Sequence, residues 1–236
     1  QFDLADDEVA LQRFRREMQA SARVRHNGTI DVYDFGRSED GRFFLAMELL
    51  EGRTLHRVLR DEGALTARRL LHIGAQIARA VGAAHHEGIV HRDLKPDNVM
   101  LLDLYGERDT VKVLDFGIAR FAEEVRHADG SSLTAVTAAG TLIGTPLYMS
   151  PEQAMGRTVD HRSDLYALGV VLYQMAVGVV PFTDPTPVRV LMMHAHDTPR
   201  PPSEVAPGRV PAGLEALILE LLAKDPEQRP QNAEAL

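Results

Sequence analysis

The 236-residue sequence contains no cysteine. That excludes disulfides and thiolate metal sites, and it fits a reducing compartment without demanding one. Lysine is scarce: Lys95, Lys112 and Lys224 are the only three, against 23 arginines. A lysine inside a motif therefore carries information. Positive charge is outweighed as well, with a formal net charge of −8, so non-specific binding to nucleic acid is disfavoured. Long apolar runs are few. The longest, Leu165 to Val180, follows Asp164, contains Gln174 and is short for a bilayer span, so it predicts a buried core helix. The opening stretch after Gln1 is acidic and helix-like and does not read as a secretory leader.

What is present suits a globular chain. Apolar residues make up 44%, enough for one large domain or two small lobes. Asp6 to Arg25 predicts an amphipathic helix, with Leu11, Phe14, Met18 and Ala22 at three- and four-residue spacing. Its five arginines share the segment with Asp6, Asp7, Glu8 and Glu17, which makes a solvated face rather than a nucleic-acid patch. Thr29 to Phe35 and Arg42 to Glu48 read as strands around a turn at Gly36 to Gly41. Gly52 marks a break before Thr54 to Arg60. Thr66 is placed to cap a long helix from Ala67 to His86. Its stripe is Leu70, Ile73, Ile77, Val81 and Ala84, and Gly88 is placed to end it. Val99 to Leu102 and Thr110 to Leu114 suggest a hairpin, and Phe121 to Gly144 a long loop. The proline-rich stretch Pro181 to Pro211 reads as irregular, and Leu214 to Ala223 as a last amphipathic helix.

Two segments carry chemistry: His91-Arg92-Asp93-Leu94-Lys95-Pro96-Asp97-Asn98 and Asp115-Phe116-Gly117. Phosphoryl transfer needs a carboxylate to orient the attacking hydroxyl, a cation near the transferred phosphate, and oxygen ligands for magnesium. Asp93 suits the first task and Lys95 the second, while Asn98 and Asp115 offer hard oxygens for Mg²⁺. Taken singly, His91 could be an ordinary core histidine and Asp93 a turn residue. The full string followed by Asp-Phe-Gly is far more specific.

The two segments resemble the catalytic loop and the metal-binding motif of protein kinases. Further motifs fall into that family's order. Glu17, in Arg15-Arg16-Glu17-Met18-Gln19, resembles the helix-C glutamate, and Met47-Glu48-Leu49-Leu50-Glu51-Gly52 the gatekeeper and hinge. Gly144 to Glu152, GTPLYMSPE, resembles the end of the activation segment. Ser163 to Gly169 resembles the start of the central large-lobe helix, and Lys224 to Pro230 the closing motif. Lys95 and Thr145 resemble the serine/threonine group, while the SPEQ ending and Pro199 to Pro211 look bacterial.

The resemblance implies an α+β, bilobal fold. Residues 1–46 would be a partial small lobe with a helix and two strands, 47–51 a hinge, and 52–236 a mostly helical large lobe with the activation segment at 115–152. It implies ATP and Mg²⁺ as cofactors and proteins as substrates. Asp93 would be the base, Lys95 would meet the γ-phosphate, and Asn98 and Asp115 would hold the metal. Met47, Glu48, Leu50 and Met100 would surround the adenine, and Glu17 would support the nucleotide site. Glu152 would pair with Arg229, and Thr137 or Thr141 would be a regulatory phosphorylation site with Arg92 and Arg120 as phosphate partners. No nucleic-acid partner or membrane contact is implied for this segment, and the location is cytoplasmic even if the parent protein is anchored in a membrane.

The chain departs from the family pattern in one respect. It contains no GxGxxG motif, and no lysine precedes Lys95, which leaves Glu17 without its ion-pair partner. That predicts a fragment of a longer protein, inactive by itself. Two other readings stay open. Small-molecule phosphotransferases of the aminoglycoside-kinase type share the aspartate–asparagine loop but lack the segment standing here at Gly144 to Glu152. A pseudokinase scaffold would not need to keep Asp93, Lys95, Asn98 and Asp115 together. His85, His86 and His91, like the pair His194 and His196, lack companions at metal-ligand spacing, and His85 reads as structural.

Overall fold

The structure, a computed structural model, describes residues 24–38, 43–104, 106–116 and 146–236. The helix expected over Asp6 to Arg25 lies outside this set except for Val24 and Arg25, which are not helical. The loop expected at Phe121 to Gly144 lies outside it entirely.

Strands β1 (Val32–Arg37) and β2 (Phe43–Met47) pair antiparallel, with Phe35 opposite Leu45 and an irregularity between Val32 and Asp34. Thr29 was expected in the first strand. Instead it forms an isolated parallel bridge to Val113. The Ile30 amide donates to the Val113 carbonyl at 3.1 Å, and the Val113 amide to the Gly28 carbonyl at 2.7 Å. The segment before β1 is thereby stitched to a second sheet of β3 (Arg53–Thr54), β4 (Val99–Leu104) and β5 (Glu107–Val113), in the antiparallel order β3-β4-β5. The last two are the expected hairpin. Gly52 lets β3 approach β4: a Cβ there would stand 2.4 Å from the Leu101 carbonyl oxygen.

The helices follow their caps. Thr54 accepts from the Arg57 amide and starts α1 (Leu55–Glu62). Thr66 accepts from the Arg69 amide and starts α2 (Ala67–His86), whose expected stripe is buried along its whole length. Gly88, with φ of 73°, takes the left-handed turn beyond its end. After the short α3 (Pro151–Ala154) comes α4 (Arg162–Val177), buried at nearly every position. A helix apolar all round must lie at the centre, and α4 packs against α2 on one side and against α7 (Ala212–Leu221) on another.

The irregular reading of Pro181 to Pro211 is overturned. This stretch holds α5 (Pro187–His196) and α6 (Pro202–Val205), and Pro211 caps α7. Pro187 and Pro202 occupy first helical turns, where the missing amide hydrogen would have no helical partner and the fixed φ is already helical. These prolines are helix starts rather than breaks.

Two buried polar groups tie the helical part together. The Arg229 guanidinium donates to both carboxylate oxygens of Glu152, at 2.8 and 2.9 Å, as the sequence led us to expect. Ser163 Oγ also donates to Glu152. Burial opposes ionisation of Glu152 most strongly, yet the bonds from Arg229 and Ser163 together hold its carboxyl below the ordinary range. The second group is His194 on α5, fully buried. Its Nε2 lies 3.0 Å from the Leu147 carbonyl oxygen, which can only accept, so the proton sits on Nε2. Nδ1 then accepts from the Tyr166 hydroxyl at 2.9 Å.

Replacing Arg229 by Met should leave the Glu152 carboxylate buried and unpaired, at a loss of about 3–5 kcal/mol of stability in urea unfolding. Arg229→Lys should recover only part of it, because an ammonium cannot bond both oxygens as a planar fork does. A loss under about 1 kcal/mol for Arg229→Met would mean the pair contributes little.

His194 gives a pH dependence of defined sign. Burial, helped by the charge of Lys224, pushes its pKa from 6.5 down to about 3. The unfolded chain therefore takes a proton that the folded chain refuses. Stability should be full above pH 6.5 and fall as the pH drops from 6.5 toward 3, by about 1.4 kcal/mol per pH unit for one proton. His26, whose pKa burial also lowers, shares that window. Urea midpoints at pH 6.5 and 5 should therefore differ less in His194→Gln than in the parent, and equal differences would show that His194 takes its proton in the folded state.

Candidate active site

The loop from His91 to Asn98 joins α2 to β4, and its backbone is held from α4. Asp164, in the first turn of α4 and 1% exposed, receives the His91 amide on Oδ2 and the Arg92 amide on Oδ1, both at 2.8 Å. His85 Nε2 lies 2.7 Å from the same Oδ2, so that histidine is structural, as expected. Two consecutive amides aimed at one carboxylate require an unusual backbone, and Arg92 has φ of 67°. A side chain in that left-handed region costs on the order of 1 kcal/mol, which charge-assisted bonds to a buried carboxylate offset. The role of Asp164 was not assigned from sequence; the motif around it was read only as a helix start.

His91 ties the loop to the strand end on the far side. Its ring is fully buried, Nε2 bonds the Leu114 carbonyl oxygen at 2.8 Å, and Nδ1 receives the Asp93 amide at 3.3 Å. The Phe116 ring stands 4.8 Å away, centroid to centroid. Asp93 and Asp115 are thus brought together by one histidine that touches the neighbours of both.

The side chains at the centre form a small network. Lys95 Nζ donates to Asp93 Oδ2 at 2.7 Å. Asn98 Nδ2 donates to the Asp93 carbonyl at 2.9 Å and to Oδ2 at 3.2 Å. A carbonyl can only accept, so the Asn98 amino group faces Asp93 and its oxygen is turned elsewhere. Asp115 has φ of 62°. Burial raises its pKa; His91 and Lys95 oppose the rise and Asp93 adds to it. A half-buried carboxylate with a neighbouring acid gains from a cation. The donor set of Asn98 oxygen and Asp115 carboxylate fits Mg²⁺, which takes one or two protein oxygens and completes its shell with phosphate and water. Among the described residues no cluster of three or more acidic or histidine side chains could hold a metal alone.

Of the residues expected around a base, Met47 is 38% exposed at the end of β2, and Leu50 and Met100 are half-buried. Glu48 is more committed than its sequence suggested. Its amide donates to the Asp31 carbonyl at 2.9 Å, and its Oε1 accepts from the Asp31 amide at 2.8 Å and from Lys112 Nζ at 2.6 Å. Lys112 also donates to the Thr29 carbonyl at 3.0 Å. This lysine joins the β1–β2 pair to the larger sheet, a role that sequence reasoning missed although its rarity was a signal. Glu17, Thr137, Thr141, Arg120, Gly117, Gly144 and Thr145 lie outside the described residues.

Comparison with known proteins shows the family of the chain. The family model described as protein kinase domain matches residues 3–236. The chain is 46% identical over 233 residues to the serine/threonine-protein kinase pkn3 of Myxococcus xanthus, covering 98% of this chain and 42% of that protein. It is 42% identical over 234 residues to the serine/threonine-protein kinase PknB of Mycobacterium tuberculosis, covering 98% of this chain and 36% of that one. The chain thus spans less than half the length of these curated relatives. Among solved structures, the PknI kinase domain of Mycobacterium tuberculosis superposes with a TM-score of 0.70 at 26% identity, covering 95% of this chain and 75% of that one.

Asp164→Asn leaves one acceptor where two amides now bond. Hydrogen exchange at the His91 and Arg92 amides should quicken by about 10- to 100-fold, the equivalent of one charge-assisted bond. Unchanged protection at both amides would show that Asp164 does not hold the loop.

Proposed function

The chain belongs to the protein kinase domain family, and from that premise we propose that its parent protein transfers the γ-phosphoryl group of ATP to serine or threonine hydroxyls of other proteins. The observation that carries the reading is the Asp93 carboxylate, held by Lys95 and Asn98 on a loop fixed by Asp164. Asp93 takes the proton of the attacking hydroxyl on a carboxylate oxygen. Lys95, already within 2.7 Å of that carboxylate, presents its charge to the γ-phosphate. Asn98 Oδ1 and Asp115 hold magnesium. When bound, that ion neutralises charge on the phosphates. Adenine lies against the backbone of Glu48 and Leu50, with Met47 and Met100 supplying apolar contact, and Glu17 supports the phosphates from the small lobe.

On this reading residues up to 46 belong to the small lobe, 47–51 are the hinge, and 52–236 are the large lobe, with 115–152 as activation segment. A protein substrate is favoured over a small molecule by the segment ending at Glu152, whose last residues are anchored by Arg229. An enzyme is favoured over a scaffold by the joint presence of Asp93, Lys95, Asn98 and Asp115. The 236 residues hold no glycine-rich loop and no lysine before Lys95, so this segment alone should transfer phosphate poorly. The domain works in the cytoplasm; no helix among the described residues is long and apolar enough to cross a membrane. Thr137 or Thr141 is a regulatory phosphorylation site, with Arg92 and Arg120 as partners.

The test is ATP-dependent phosphorylation of a generic basic protein by the protein at its natural length. Asp93→Asn should lower the rate by about two to four orders of magnitude, the usual worth of a general base. Turnover within about twofold of the parent would remove Asp93 from the chemistry and the reading with it.

A further inference from the structure

The residue after the Ser-Pro-Glu triplet has no part in the reading above, yet it touches the catalytic loop. Gln153, in α3, donates from Nε2 to the Arg92 carbonyl oxygen at 2.7 Å. Its Oε1 accepts from the Ser150 amide at 3.0 Å, and its own amide donates to Ser150 Oγ at 3.3 Å. The last two bonds are a capping box that starts α3. The first reaches 61 residues back along the chain. Each partner of the side-chain amide can play one role only, a carbonyl that accepts and an amide that donates, so the orientation of the Gln153 side chain is fixed by chemistry.

The bond falls at a sensitive place. The Arg92 carbonyl and the Asp93 amide share one peptide plane. Arg92 stands in the left-handed region, so this plane is not held by ordinary backbone preference. Asp164 fixes the Arg92 amide on one side. On the other side the plane is tethered by the 2.7 Å bond from Gln153 to its oxygen and by the longer 3.3 Å bond from its N–H to His91. Rotating the plane swings the Cα of Asp93 and with it the carboxylate.

We infer that Gln153 is a positioning residue whose side-chain amide locks the Arg92–Asp93 peptide plane to the start of α3. The base and the end of the substrate-docking segment then share one hydrogen-bonded frame. The inference rests on the reading of Asp93 as the base. Glutamine is required because the position needs a donor and an acceptor at the same reach. Glutamate keeps the acceptor for Ser150 but turns a second oxygen toward the Arg92 carbonyl.

The experiment uses the protein at its natural length and steady-state phosphorylation of a basic protein. In Gln153→Glu, kcat should fall about tenfold or more while KM for ATP changes less than twofold. Gln153→Met, of similar length and uncharged, should show the same split and is measured alongside in case the carboxylate unfolds the loop. Thr66→Ala, which removes the distant cap of α2, supplies the control: it should lower the melting temperature without this loss of kcat. A kcat within twofold of the parent in both Gln153 variants overturns the inference, as does an equal loss of kcat in Thr66→Ala. Transfer that survives Asp93→Asn overturns the underlying reading. Asp93-dependent transfer indifferent to Gln153 overturns this inference alone.

Discussion

Asp164 receives bonds from His85, His91 and Arg92, and most of what the catalytic loop does follows from that one carboxylate. It sits in the first turn of α4, where the helix's own amides favour a negative charge. It is also on the helix with no solvated face, so its position is set by packing on every side. A loop of polar residues would normally wander at the surface. Here its backbone hangs from a buried helix, and Arg92 is held in a conformation it would not choose alone. From this anchor follow the placement of His91, the approach of Phe116, and the nearness of Asp93 to Asp115.

Glu152 and Asp115 are handled in opposite ways. Glu152 is matched by a planar cation and a hydroxyl, which hold it ionised despite burial, and it fastens the start of α3 to the chain's last turns. Asp115 is half-buried, with no such match among the described residues; burial raises its pKa and Asp93 adds to the rise. The first arrangement spends charge on architecture. The second leaves a charge that a bound cation can satisfy, which is what a metal-assisted transfer needs. Geometry that would be a defect in a structural pair is an asset at a site.

The local signals in the sequence were reliable where the physics is local. Thr66 and the stripe of α2 could be read because caps and helical spacing act over a few residues. The string from His91 to Asn98 stood out because its residue types suit phosphoryl transfer and lie close together in sequence. Glu152 and Arg229 could be paired only through resemblance, since nothing local links residues so far apart. Asp164 and Gln153 stood inside recognised motifs, but their partners lie 72 and 61 residues away, and no spacing rule reaches that far. Lys112 is conspicuous as one of three lysines, yet its use as a tie between sheets depends on how the segment before β1 lies against β5. The prolines from Pro181 onward were misread because proline breaks a helix interior but suits a helix start, and composition does not tell the two apart.

The bonds around His194 form a line with a single sense. Lys224 Nζ donates to the Tyr166 oxygen at 3.4 Å, Tyr166 donates to Nδ1 of His194, and Nε2 donates to the Leu147 carbonyl. An ammonium has no lone pair to accept and a carbonyl has no proton to give, so neither end of the line can be turned round. Each hydrogen therefore has one address, and the four groups form a polarised wire rather than a set of interchangeable contacts. Lys224, in the turn after α7, is thus linked to Leu147 through the side chains of Tyr166 and His194. The segment before α3, helices α4 and α5 and the turn after α7 thereby share one directed set of hydrogen bonds.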